Sequence, residues 1–250
     1  MLLSFVVYAG AVLAFVGGLS VLVPVRFLGI RHRGVAVLLA LAGATMTTVA
    51  MAQPADSQSV SAPHTRLDDY APAWQFDEVN EIPVHASADR IYAAITNVTA
   101  AEIPLYRTLA WIRRGFASGP ESILNPPDHD PLVAVATRTT FLKLADDPGR
   151  EFVMGTVVIA PPGVRLALGT DPESFTALTQ PGYAKATVAF RIEPGGTDWH
   201  RLRTETRVFG TDPDSVARFA KYWRVIGPGS QIIRIMWLRA IKVRAEAPGR

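Results

Sequence analysis

Side chains able to do chemistry are concentrated on one strand-like run and on the helical segment that follows it. In Leu202-Arg203-Thr204-Glu205-Thr206-Arg207-Val208, the two-residue period of a strand puts Leu202, Thr204, Thr206 and Val208 on one face and Arg203, Glu205 and Arg207 on the other. If the threonine face turns inward, Thr204 and Thr206 offer hydroxyls to a ligand; a reversed or fully packed face fits the alternation equally well. Glu205 and Arg207 turned toward a cavity would instead form an ionisable pair suited to proton transfer. An earlier run alternates Lys185, Arg191 and Glu193 with Val188, Phe190 and Ile192, as expected for a sheet with one wet face, and Phe190 joins the inward set.

The helical segment, 211–247, opens on Asp212-Pro213, an N-cap followed by a residue with φ already set for a helix. At ~100° per residue, Phe219, Trp223, Ile226, Ser230, Ile233, Trp237 and Ile241 fall within roughly 80° of arc, with Lys221, Arg224, Arg239 and Lys242 opposite. Large rings with a polar edge suit a lipid-like ligand, and they suit plain core packing as well. Gly227-Pro228-Gly229 is expected to interrupt the helix between Trp223 and Trp237. Ser230, just after it, would either orient a polar head group or satisfy backbone groups freed by the break. The basic opposite face is expected to be solvated.

Other reactive-looking residues carry less. Asp128-His129-Asp130 has metal-ligand side chains, but three adjacent residues on a Pro-flanked loop converge poorly on one ion, so a solvated loop is expected. The chain has no His-Glu-x-x-His pair, nucleophile elbow, phosphate-binding loop or dinucleotide fingerprint, so no metal, cofactor or catalytic residue is assigned. It has no cysteine, which excludes disulfides, thiolate catalysis and cysteine zinc sites. Asn97-Val98-Thr99 matches a glycosylation sequon but abuts a helix cap, and is read as a chance match.

These residues need elements to hold them, and the first fifty residues are unlike the rest. Leu2–Val23 and Gly34–Ala52 are apolar runs long enough to cross a ~30 Å hydrocarbon core. Arg26, Arg31 and Arg33 lie in the turn 24–33, so the positive-inside rule puts that turn in the cytoplasm. The expected organisation is a transmembrane hairpin over 1–52, a flexible linker over 53–66 and a folded extracytoplasmic domain over 67–250, in the cytoplasmic membrane. Ala50-Met51-Ala52 has the small-x-small form of a signal-peptidase site, and cleavage there would release the domain. The whole formal charge of +3 is held by the three arginines of residues 1–52, which leaves a neutral domain with no global electrostatic reason to bind nucleic acid. Oligomeric state is left open.

From Trp74 the expected order is a strand to Val84, a helix capped by Ser87, and a second helix opened by Thr99-Ala100-Ala101-Glu102 with Leu105, Leu109, Ile112 and Phe116 on one face. A polar loop to Pro131 follows, then strands Val133–Leu144 and Glu151–Ile159 about Asp146-Asp147-Pro148-Gly149, and a second hairpin, Tyr183–Glu193 with Trp199–Phe209. The handover His85-Ala86-Ser87-Ala88-Asp89-Arg90-Ile91-Tyr92-Ala93-Ala94-Ile95, with Tyr222-Trp223-Arg224-Val225-Ile226-Gly227-Pro228 in the last helix, resembles the START-like, helix-grip superfamily, which includes the polyketide cyclase/dehydrase-like proteins. The resemblance covers roughly Trp74 to Ala247. It implies an α+β fold in which an antiparallel sheet wraps a long C-terminal helix around an apolar cavity that holds lipids, isoprenoids or polyketides. The expected function is a membrane-tethered domain binding a hydrophobic small molecule against Phe219, Trp223, Ile226, Ser230, Ile233, Trp237, Phe190, Thr204 and Thr206. A cyclase or dehydratase using the same cavity, and an interaction module with a filled core, are the alternatives.

Overall fold

The computed structural model of the chain describes residues 2–23, 32–164 and 171–248. The expected cytoplasmic turn, 24–33, lies outside them except for its last two residues. The elements in chain order are α1 (Leu2–Leu22), α2 (Arg33–Ala52), β1 (Gln58–Ser59), α3 (Arg66–Tyr70), β2 (Ala73–Trp74), β3 (Phe76–Val84), α4 (Ala88–Asn97), a short 3-10 turn, α5 (Tyr106–Arg113), α6 (Leu132–Thr139), β4 (Leu142–Asp147), β5 (Glu151–Ile159), α7 (Pro172–Thr176), β6 (Ala184–Gly196), β7 (Trp199–Gly210) and α8 (Pro213–Glu246). They form two compact units: Met1–Ala55 with Ala217–Pro228, and Asp56–Val216 with Gly229–Arg250.

The first unit is helical. Helices α1 and α2 meet through small residues: a Cβ added at Gly17 would lie 2.4 Å from the Ala40 nitrogen, and one at Gly43 would lie 2.3 Å from the Ala14 nitrogen. Backbones this close allow only glycine. The large apolar side chains point the other way, with Leu2, Phe5, Phe15 and Leu22 all exposed. Both helices are long and apolar enough to cross a membrane by length and composition. In the same unit Arg224 donates to the carbonyls of Met51 (2.6 Å) and Gln53, placing its charge at the negative end of the α2 dipole.

The second unit is α+β. Five antiparallel strands run in the order β3-β7-β6-β5-β4. Pro83, which cannot donate to a ladder, sits on the edge strand β3 opposite Arg201. On the inner face, Val84, Leu202, Ile192, Phe190, Val188, Phe152 and Met154 pack with Ile91 and Ile95 of α4 and with Trp237, Leu238 and Ile241 of α8 in one buried cluster. This is a sheet closed over a long C-terminal helix, as in the helix-grip fold.

Four features differ from the sequence reading. Residues 132–139 are helical: Leu132, Val135, Ala136 and Thr139 recur at helical spacing, and of these Leu132, Val135 and Ala136 are buried, so the run expected as one strand divides at Thr140. The helix expected from Thr99 stops after one 3-10 turn. Leu105 takes φ 60°, the chain restarts as α5, and Leu105, Ile112 and Phe116 are exposed while Tyr106 and Ala110 are buried. Helix α8 continues through Gly227-Pro228-Gly229 without a break: proline fits helical φ, and burial of Phe219 before it and of Trp237 and Ile241 after it offsets the ~3 kcal/mol that an interior proline costs. The boundary between the two units falls at Pro228 within it.

The fourth difference is the outer face of the sheet, which is not simply wet. Leu67 and Ala71, Phe175 of α7, and Leu144, Ala145, Val153 and Ala189 form a second buried cluster there. Beneath it Arg207 is buried and donates to Asp68 (2.7 Å), Glu205 (2.7 Å) and the Ala71 carbonyl (2.9 Å), with its guanidinium 4.0 Å from the Trp74 ring centre. Glu151 accepts from the backbone of Arg66 (2.9 Å) and Leu67 (3.1 Å), at the start of α3. Charges survive burial here because each is paired or hydrogen-bonded.

Candidate functional site

The alternation of β3 places Phe76, Glu78, Asn80, Ile82 and Val84 inward. Cross-strand register sets Glu78 opposite Thr206 and Asn80 opposite Thr204, and Phe190 of β6 lies on the other side of Thr204. The Trp237 ring of α8 rests on Phe190, with centroids 5.0 Å apart. One turn back on α8, the Arg234 guanidinium lies 5.5 Å from the Trp237 ring centre and its charge acts on Glu78. Glu78, Thr204, Phe190, Trp237 and Arg234 therefore form a connected group on the inner face.

Its electrostatics are unusual for a core. Glu78 is buried, and its Oε1 accepts from the Asn80 amide (3.0 Å). Burial pushes its carboxyl above the usual glutamate range against the opposing pull of Arg234, Ser230, Asn80 and Arg113. Burial lowers the Arg234 guanidinium in turn, with Glu78 opposing the shift. Tyr106, also buried, donates to the Ile123 carbonyl and lies in the field of Arg234 and Arg113; desolvation raises its hydroxyl.

Four buried polar atoms of this group have no hydrogen-bond partner among the described residues: Glu78 Oε2, Thr204 Oγ1, Arg234 Nη1 and Trp237 Nε1. Leaving such an atom unpaired costs ~1–3 kcal/mol, so buried polar groups in folded proteins are almost always satisfied by protein, water or ligand. Two acceptor-capable oxygens and two N–H donors on one inner face are what a small molecule with a polar end needs. A buried acid whose carboxyl is raised by desolvation in the field of a cation is also what general acid–base chemistry needs.

Of the nine residues singled out by sequence, Phe190, Thr204, Thr206, Ser230, Ile233 and Trp237 lie in the sheet-bearing unit. Ile233 packs at the margin of the inner core cluster, and Ser230 sits close enough to Glu78 to act on its carboxyl. Phe219, Trp223 and Ile226 fall instead in the helical unit, where Phe219 and Trp223 stack with centroids 5.6 Å apart. Glu205 and Arg207 are buried on the outer face with Asp68. Asp128 pairs with Arg107 and Asp130 with Arg138, so both carboxylates of that loop face cations.

Sequence reasoning misses Glu78, Asn80 and Arg234. The signals are present: Glu78 and Asn80 share strand parity with Phe76 and Ile82, and Arg234 lies four residues after Ser230 and three before Trp237. Charged residues at inward-facing positions are readily taken for the wet face when nothing shows which side the core occupies.

No protein-family model and no curated protein sequence matches the chain. Among solved structures, a hypothetical protein from Helicobacter pylori is similar at 11% identity and a TM-score of 0.38, covering 76% of this chain and 99% of its own. A protein from Thermus thermophilus is similar at 11% identity and a TM-score of 0.28, covering 69% and 98%. Norcoclaurine synthase from Thalictrum flavum, in complex with dopamine and hydroxybenzaldehyde, is similar at 14% identity and a TM-score of 0.26, covering 77% and 98%.

Proposed function

We propose that the chain is a membrane-tethered START-like domain that binds a hydrophobic small molecule, lipid-like or isoprenoid-like, on the outer side of the cytoplasmic membrane. The observation that carries the ligand part is the set of four unpartnered buried atoms, Glu78 Oε2, Thr204 Oγ1, Arg234 Nη1 and Trp237 Nε1, in an otherwise apolar interior. Its ligand has an apolar body against Phe190 and Trp237 and a polar end that both accepts and donates hydrogen bonds.

The anchor is helices α1 and α2. Their glycine-lined contact and outward large apolar side chains reverse the usual pattern of a water-soluble pair, and suit helices solvated by lipid. With Arg26, Arg31 and Arg33 holding the intervening turn in the cytoplasm, residues 53–66 tether the domain outside.

The test uses full-length protein in detergent. Mass spectrometry of bound small molecules, and quenching of tryptophan by the neutral probe N-phenyl-1-naphthylamine, are expected to report an apolar occupant. Arg234→Met is expected to weaken its retention. Protein that carries no such molecule and takes up none of the probe refutes the binding role.

Glu78 favours a second reading, a cyclase- or dehydratase-type enzyme. A carboxyl raised by burial beside Arg234 is placed to give and take a proton within the same interior. A Glu78→Gln protein that still binds the probe but no longer converts an identified ligand would establish it; conversion at the wild-type rate would exclude it.

A further inference from the structure

The outer face of the sheet holds a cleft separate from the interior. It has a volume of about 230 Å³, floored by Lys185, Thr187, Arg207 and Phe209 and walled by residues 69–73 and by Phe175 and Thr176. The floor is one patch of adjoining strands, since Thr187 pairs across to Arg207 and Lys185 to Phe209. Around it, Arg66 pairs with Asp69 (2.9 Å), Arg203 with Glu205 (3.0 Å), and Arg207 with Asp68 and Glu205 (2.7 Å each).

Lys185 differs. It is buried and forms no ion pair among the described residues; its ammonium donates to the Phe175 carbonyl (3.0 Å) and the Thr176 carbonyl (3.3 Å) and lies 5.2 Å from the Phe175 ring centre. Two of its three protons are thereby used. The Thr187 hydroxyl and the Arg207 Nη2 group make no hydrogen bond to protein among the described residues. A buried ammonium without a counter-ion, next to two further donors, asks for an anion. The walls, with Tyr70, Ala71, Pro72 and Phe175, ask for an apolar body.

We propose that this cleft is a binding site for a small amphipathic carboxylate, whose carboxylate meets Lys185, Thr187 and Arg207 and whose apolar part lies against Tyr70, Pro72 and Phe175. At about 30 Å³ of liquid volume per water, the cleft takes roughly eight waters; covalently bonded atoms pack closer than separate waters, so a short fatty acid or an arylacetate is of that size. Bulk lipid does not fit. The site is independent of the interior and stands whether or not the interior binds a ligand.

Phenylacetate is the probe and phenylacetamide its neutral counterpart, both titrated into full-length detergent-solubilised protein by calorimetry. Phenylacetate is expected to bind saturably at one site, with phenylacetamide at least about tenfold weaker. Lys185→Met is expected to weaken phenylacetate at least about tenfold, since one partner of a desolvated charge pair is lost. Thr187→Val, a shape-conserving change, is expected to weaken it less. Excess N-phenyl-1-naphthylamine is expected to leave phenylacetate in place. Equal binding of acid and amide, full affinity in a folded Lys185→Met protein, displacement by the naphthylamine, or no saturable binding at millimolar phenylacetate would each overturn the assignment.

Discussion

Replacing Arg207 by methionine removes a cation that pairs with two buried carboxylates, Asp68 and Glu205. Asp68 is 5% exposed and Glu205 8% exposed, and each accepts from Arg207 at 2.7 Å. Methionine keeps much of the side-chain volume over Trp74 but leaves Asp68 without a paired cation among the described residues. Glu205 retains Arg203, at 3.0 Å. Breaking a buried pair by deleting one partner costs ~3–5 kcal/mol, because the stranded charge stays desolvated.

Asp68 adds a pH dependence, to which Arg207 is one of several contributors. Burial pushes its carboxyl up, but hydrogen bonds from the His64 backbone, Arg207 and Thr65 outweigh burial and hold it at about 2 rather than 3.8. At about 1.36 kcal/mol per pH unit, that difference corresponds to ~2 kcal/mol of stability above pH 4. The folded value is depressed, so this contribution is present above the unfolded value of 3.8 and is lost as pH falls through about 2. Without Arg207 the folded value rises, and the acid limb of the stability profile moves to higher pH. Guanidinium chloride unfolding of the full-length chain, followed by tryptophan fluorescence at pH 7 and along the acid limb, measures both. A loss below about 1 kcal/mol, or an unmoved acid limb, would show that the triad does not hold the outer face together. Adding Glu205→Gln to Arg207→Met is expected to restore part of the loss by removing one stranded charge.

Three further substitutions test the packing. Gly43→Leu drives a side chain into the Ala14 backbone and is expected to lower the thermal stability of the detergent-solubilised protein by several degrees, whereas Gly18→Leu, with nothing within 4 Å of an added Cβ, is expected to leave it unchanged. Equal effects would argue against the glycine-lined contact. Gly155→Ala places a methyl 2.8 Å from the Phe175 ring and from Leu144, and is expected to cost about 1–3 kcal/mol in the same chemical unfolding assay. A neutral result would mean that α7 does not press on the sheet as described.

Some features follow from the sequence alone because they depend on local chemistry. Ser87 and Asp212 cap their helices through short-range hydrogen bonds to residues two or three positions on, so residue type and spacing suffice to recognise both. The two hairpins rest on turn residues flanked by alternating strands, and β4–β5 and β6–β7 pair as antiparallel neighbours. The two apolar runs at the start need only length and composition to be recognised as helices of membrane-spanning size.

Tertiary contacts decide the rest. Whether 132–139 is strand or helix cannot be read from a short apolar run, because both periods fit it until neighbours choose a face. Which half of α8 faces the sheet is equally hidden: its stripe reads as continuous, yet Phe219, Trp223 and Ile226 belong with the N-terminal helices and Ile233 and Trp237 with the sheet. Both candidate sites depend on such long-range meetings. Glu78 comes into the field of Arg234 across more than 150 positions, and Lys185 is left without a counter-ion among the described residues because α3 and α7 cover a face that alternation alone marks as wet. Sequence periodicity says that the two faces of a strand differ. Which face is roofed, and which charge is stranded beneath the roof, is set by elements that come together only when the chain has folded.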